Sequence, residues 1–234
     1  DTVGAVMPIY VDPSVIDTLT FSSTYTNPVN DALTYLLARD STSAKDNYSF
    51  FYVGDLTGAS IYYNCRAFLY FRYNIANSID SAKMLLDGNV DNSTIDFRVL
   101  VVTSFYDTSS NIPDISYSQF SGWTSGTGVY SGMNALTDTF NTVSFSTSWN
   151  TFKFNSRGLD TVKYYNGSVL RLALVSSRDS AALEPGLNTT NYAVFQGGGN
   201  APKPILILYS YAPVLSCSLT NLSTYDSIRV FSYG

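Results

Sequence analysis

At 234 residues, with 13 Lys and Arg against 18 Asp and Glu, the chain carries a formal net charge of −5, no histidine, a single glutamate (Glu184) and two cysteines. Without histidine no serine or cysteine can be activated by imidazole, and the usual zinc sites have only Cys65, Cys217 and carboxylates to draw on, so the sequence reads as non-enzymatic. The arginines are scattered from Arg39 to Arg229 with no basic stripe, which argues against nucleic-acid binding, and no apolar run approaches the roughly 18 to 20 residues that span a bilayer.

The same residue counts test the remaining catalytic options. No lysine has a serine three positions before it, which excludes a Ser/Lys dyad of the S-x-x-K kind. A pair of aspartates acting as glycosidase acid and base stays open on composition alone. Hydrophobic residues make up 45% and charged ones 13%, with 19 Tyr and 14 Phe. That balance is typical of strands that wet their surface with hydroxyls rather than ions.

Along the chain the dominant period is two, with turn residues between short apolar or alternating runs. Ala5 to Val11 and Asp17 to Tyr25 read as strands, the first placed at an edge or bend by Pro8. Asn30 is positioned to cap a short helix through Ala38, with Leu33, Leu36 and Leu37 on one face. Ser49 to Val53 follows as a strand. Cys65 to Tyr73 is apolar on both faces, the mark of a central strand covered twice. Ser81 to Leu86 and Asp96 to Thr103 are the next strands, before a long polar stretch from Asp107 to Asp138. Thr142 to Phe154 returns to strand, with Trp149 in step with Val143 and Phe145 and therefore expected in the core. Leu159, Val162 and Tyr165 share one face of a short helix closed by Gly167. Val169 to Val175, Tyr192 to Phe195 and Ile205 to Tyr211 complete the strands. The glycine run Gly197 to Gly199 is followed by Pro202 and Pro204, which prevent the helix that a phosphate loop needs.

The expected fold is thus all-β, a jelly-roll β-sandwich of two antiparallel sheets with one or two short helices. The divisions are 1–45 as an N-terminal extension (an assembly arm is one reading), 46–211 as the sandwich, and 212–234 as a C-terminal extension or extra strand. A chain that begins at Asp1 suggests that something preceded it. Cys65 and Cys217 are either a disulfide closing a long loop or two buried thiols. Sequons at Asn47, Asn92, Asn166, Asn188 and Asn221 permit glycosylation without arguing for it.

Four motifs in order carry a family resemblance. They are Ala67-Phe68-Leu69-Tyr70-Phe71-Arg72, then Ile79-Asp80-Ser81-Ala82-Lys83-Met84-Leu85-Leu86, then Trp149 with Phe152 and Phe154 followed by Gly167 to Leu174, and last Pro204-Ile205-Leu206-Ile207-Leu208-Tyr209. This order, over about Asp46 to Tyr211, resembles the DNRLRE-type domain, a jelly-roll sandwich related to carbohydrate-binding modules of secreted proteins. The acidic residue that usually ends the first motif is Arg72 here, and the first 45 and last 20 residues have no counterpart in the pattern. The resemblance implies sugar recognition by aromatic faces with amides and carboxylates beside them. Trp123, Tyr117 and Tyr130, with Asp107 and Asp114, are the candidates; against this, Trp123 simply anchors its loop. Asp87, Asp91 and Asp96 around Gly88 are candidates for a structural calcium, although their spacing fits no defined calcium loop and a solvated acidic turn is the other reading.

Two functional expectations follow. One is a structural surface protein of a virion (shell, decoration or spike) or of an extracellular filament, self-assembling or bound to other surface proteins and able to bind glycan. The other is a secreted, non-catalytic carbohydrate-binding module. Either places the chain outside the cell or on a virion surface.

Overall fold

The computed structural model of the chain describes residues 6–11, 19–25, 44–46, 50–58, 61–75, 78–104, 134–197 and 202–211. Their strands are β1 (Val6–Val11), β2 (Leu19–Tyr25), β3 (Ala44–Asp46), β4 (Phe50–Gly58), β5 (Ile61–Arg72), β6 (Ile79–Asp91), β7 (Arg98–Thr103), β8 (Phe140–Asn141), β9 (Trp149–Lys153), β10 (Val169–Ser176), β11 (Thr190–Gln196) and β12 (Ile205–Tyr211). The helices among them are α1 (Ser156–Tyr164) and α2 (Ser177–Ser180), with a single 3-10 turn at Thr142–Ser144. The fold is all-β. The strands join in the order β1-β12-β6-β11-β4-β5-β10-β7-β8, with β2 beside β3 and β5, and β9 beside β6.

Every described pairing is antiparallel, and the sheet curls into a half-barrel. The long strand β6 links its parts: Ile79 to Leu85 pair with β12, Lys83 to Asp87 with β9, and Gly88 to Asp91 with β11. One face of the curl is the core. Phe51, Val53, Ala67, Leu69, Phe71, Met84, Leu86, Val99, Val101, Leu170, Leu172, Leu174, Phe195, Leu206 and Leu208 are all buried in one cluster. Phe140, Phe152 and Phe195 pack together within it, Phe140 and Phe152 tilted with ring centroids 4.5 Å apart and Phe195 edge-on to Phe152 at 5.9 Å. Burial of side chains this large is the main stabilising term, at about 1.5–3 kcal/mol each.

Strand β5 is the central strand its two apolar faces predict. It pairs with β4, β10 and β2, and every side chain from Asn64 to Phe71 is buried. Pro8 pairs opposite Tyr209 on β1, which ends the strand path, where a residue without an N–H is tolerated. The N-terminal segment is built into the chain's own sheet through β1 on β12 and β2 on β5. The helix expected from Asn30 to Ala38 and the segment 212–234 lie outside the described residues.

The expected strand from Thr142 to Phe154 is corrected: it is broken. Asn141 caps the 3-10 turn by accepting from the Val143 N–H at 3.1 Å. The buried Asn150 then gathers the following loop, donating to the Ser146 and Ser148 carbonyls at 2.8 Å each and accepting from the Ser146 N–H at 2.9 Å. This loop resets the strand phase. Asn150 and Phe152 point inward, while Trp149 is 38% exposed and not in the core.

Helix α1 forms as Leu159, Val162 and Tyr165 predict. Val162 is fully buried, and Leu159 and Tyr165 pack against the core. Asn155 caps it by accepting from the Gly158 N–H at 2.9 Å. Gly158 admits the neighbouring chain, since a Cβ there would stand 1.8 Å from the Leu136 carbonyl oxygen.

Candidate functional site

The strand pairings bring the ends of β4, β6 and β10 together with the starts of β5, β7 and β11, and the charged interior residues concentrate at that end. Asp55 (β4) pairs directly opposite Asn64 (β5) on one side and Asn191 (β11) on the other. Arg66 follows on β5, and α2 brings Arg178 and Asp179 after β10. Ser176 caps α2 by accepting from the Asp179 N–H at 3.0 Å. Gly54 makes the close approach possible: its φ is +134°, and a Cβ there would lie 2.0 Å from the Asn191 carbonyl oxygen.

Arg66 and Asp179 form a bidentate pair, Nε to Oδ2 at 2.7 Å and Nη2 to Oδ1 at 3.1 Å, with neither side chain exposed. Asp55 is held less completely. Its Oδ1 accepts from Asn191 Nδ2 at 3.2 Å, while Oδ2 lies 3.4 Å from Arg178 Nε without forming a hydrogen bond. Burial pushes the Asp55 carboxyl up to about 6, against the lowering pull of Arg178 and Asn191. Cys65 is a buried free thiol, pushed up to about 12 by burial and then by the negative charges of Asp55 and Asp179.

The connection from α2 to β11 closes over this end. Thr57 and Thr189 exchange bonds, the Thr57 N–H donating to the Thr189 carbonyl at 2.9 Å and the Thr189 N–H to Thr57 Oγ1 at 3.2 Å. The chain's one glutamate is used here, Glu184 Oε1 accepting from the Tyr62 hydroxyl at 2.6 Å. That bond, with burial behind it, pushes Tyr62 up to about 12.

A second feature lies on the surface of α1. Arg157, Asp160, Thr161 and Tyr164 occupy positions i, i+3, i+4 and i+7, one face of the helix. With Thr103 and Tyr165 they line an open groove of about 510 Å³. Tyr164 is 81% exposed and stands edge-on to Tyr165, at 5.1 Å between centroids. An exposed ring beside a guanidinium, a carboxylate and hydroxyls can stack on an apolar sugar face and bond its hydroxyls.

The sugar-site candidates Trp123, Tyr117, Tyr130, Asp107 and Asp114 lie outside the described residues, as does Cys217. The calcium candidates are placed apart in role. Asp87 pairs opposite Trp149, Asp91 Oδ1 accepts from the Ser93 N–H and hydroxyl at 2.9 and 2.7 Å, and Asp96 Oδ1 accepts from the Thr142 hydroxyl at 3.0 Å. Among the described residues no three His, Cys, Asp or Glu side chains converge to hold an ion, and no helix is long and apolar enough to cross a membrane. The sequon residue Asn166 is bound through both amide atoms to the backbone of Ile75, at 2.8 and 2.7 Å.

The sequence reading missed the buried charges and the α1 face. Both left a signal: a charged residue inside an apolar strand, as in Val53-Gly54-Asp55-Leu56 and Cys65-Arg66-Ala67-Phe68, must find a partner or be expelled. No protein-family model matches the chain, and no curated protein sequence matches it.

Proposed function

We propose that this chain is a non-enzymatic structural surface protein, a jelly-roll-like β body that self-assembles on a virion or extracellular surface. The observation that carries the proposal is the placement of the exposed large aliphatic residues among those described. Ile95 (55% exposed), Val143 (71%), Leu183 (51%) and Leu187 (59%) stand on three connections. The connection carrying Ile95 is bonded to the one carrying Val143 and to the start of β11, into which the connection carrying Leu183 and Leu187 leads. The Thr94 N–H donates to the Thr190 carbonyl, the Ile95 N–H to Asn191 Oδ1, and the Thr142 N–H to the Phe97 carbonyl. Exposed apolar groups gathered at one end of a sheet suit contact with another copy of the chain.

A non-catalytic role is supported by how the interior charges are used. Asp55 and Asp179 are fully buried and engaged with Arg178 and Arg66, which suits holding the sheet end together and gives a substrate no access. The test is the paired substitution Val143→Ser with Leu187→Ser. Self-association should fall while thermal unfolding of the protomer stays unchanged; unchanged association contradicts the proposal.

The second reading, a secreted carbohydrate-binding module, is favoured by one observation, the α1 groove with Tyr164 exposed at its edge. Glycan capacity and assembly are compatible on one chain, because the groove and the apolar connections use different residues. Loss of glycan-array binding in Tyr164→Ala, with assembly retained, is the result expected if both operate.

A further inference from the structure

The buried end of the sheet holds polar atoms that its hydrogen bonds leave over. Asp55 Oδ2 and both side-chain atoms of Asn64, Oδ1 and Nδ2, have no hydrogen-bond partner among the described residues, although both residues are 0% exposed. They belong to directly opposed residues of β4 and β5. Side chains so placed are neighbours across the ladder. An ionised carboxylate in this position has one hydrogen bond, from Asn191, and one ion pair, to Arg178, that lacks hydrogen-bond geometry. That is poor compensation for a charge removed from water.

We propose that in acidic surroundings Asp55 takes up a proton in the folded protein and, as a neutral carboxylic acid, donates it to the side-chain oxygen of Asn64, a lock on this end of the sheet that tightens as pH falls. The step is one proton taken from water onto Asp55 Oδ2. It removes the incompletely compensated charge and supplies the donor that Asn64 Oδ1 lacks.

Asp55 stands opposite Asn64 on β5 and Asn191 on β11, and the charged and titratable groups that act on it are Arg178 and Asp179 from α2 and the neighbouring Cys65 from β5. Arg66 is already satisfied by Asp179 and does not neutralise Asp55. The Cys65 thiol stays protonated throughout the neutral range. Asp55 is the carboxyl of the cluster that burial raises toward that range. Burial raises its carboxyl from 3.8 to about 6, above the unfolded value. The folded state then binds this proton more readily than the unfolded one, so the stability it contributes is fully present below the unfolded value and is lost as pH rises through about 6.

The test compares denaturant unfolding of the wild type with Asp55→Asn, which mimics the neutral acid, between pH 7.5 and pH 5. The variant should equal or exceed the wild type at pH 7.5, and the wild type should gain on it as pH falls. A two-unit shift corresponds to a change of about a hundred-fold in the unfolding constant over the full titration. Identical pH profiles for the two proteins would overturn the proposal. A readout that needs no variant is the carbon-13 titration of aspartate side chains in the wild type: one carboxyl with a midpoint near 6 is expected, and none above pH 5 refutes it.

Discussion

Arg66 on β5 and Asp179 on α2, 113 positions apart in sequence, close a two-point ion pair with neither side chain exposed. The pair ties the short helix after β10 to the centre of the sheet and fixes the connection that follows it. Breaking a buried pair leaves its partner charged and unpaired, while replacing both members with apolar groups of similar volume removes that penalty.

Arg66→Met should therefore cost about 3–5 kcal/mol of unfolding free energy, and the double variant Arg66→Met/Asp179→Leu should recover most of it. Chemical denaturation of the two variants beside wild type measures this. A double variant as unstable as the single one would mean that the pair acts through geometry and not through charge.

Gly54 is required by its left-handed backbone and by the Asn191 carbonyl 2.0 Å from where a Cβ would be. Gly54→Ala should destabilise the protein by about 3 kcal/mol or more, because β4 and β11 must separate to admit the methyl group. A thermal midpoint equal to that of wild type would contradict the close approach.

The Tyr62–Glu184 bond predicts an alkaline effect. Tyr62 has its folded value raised to about 12 from 10.0, so the stability it contributes is present below 10 and is lost as pH rises toward 12. In Glu184→Gln the tyrosine loses its strongest cause of elevation. Spectrophotometric titration should then find one tyrosine ionising at lower pH than in wild type.

Cys65 should be inert to thiol reagents in the folded protein at pH 8, being buried and pushed up to about 12. Peptide mapping after alkylation should find Cys65 unmodified under native conditions and fully modified in denaturant. Labelling of Cys65 in the folded chain would show that this end of the sheet opens readily.

Much of the framework is legible in the sequence because it is local. The doubly apolar run through Phe68 to Phe71 marks the central strand, Pro8 marks the edge, and Leu159, Val162 and Tyr165 mark the helix that buries them. What the sequence hides is non-local. The inward phase at Asn150 depends on that side chain bonding the loop before it, so alternation counted from Val143 misplaces Trp149. The charged cluster depends on Asp55 meeting Asn191 across 136 positions and Arg66 meeting Asp179 across 113, pairings that no local pattern encodes. The α1 face at Arg157, Asp160, Thr161 and Tyr164 was readable from helical spacing once the opposite face was recognised as buried.

The most direct measurement of the central claim is the solution mass of the protein from its natural source, by light scattering over a range of concentrations. The account predicts a defined multiple of the 25.7 kDa chain or a filament, dispersed by Val143→Ser with Leu187→Ser. A particle that stays at 25.7 kDa at every concentration would contradict a self-assembling structural role.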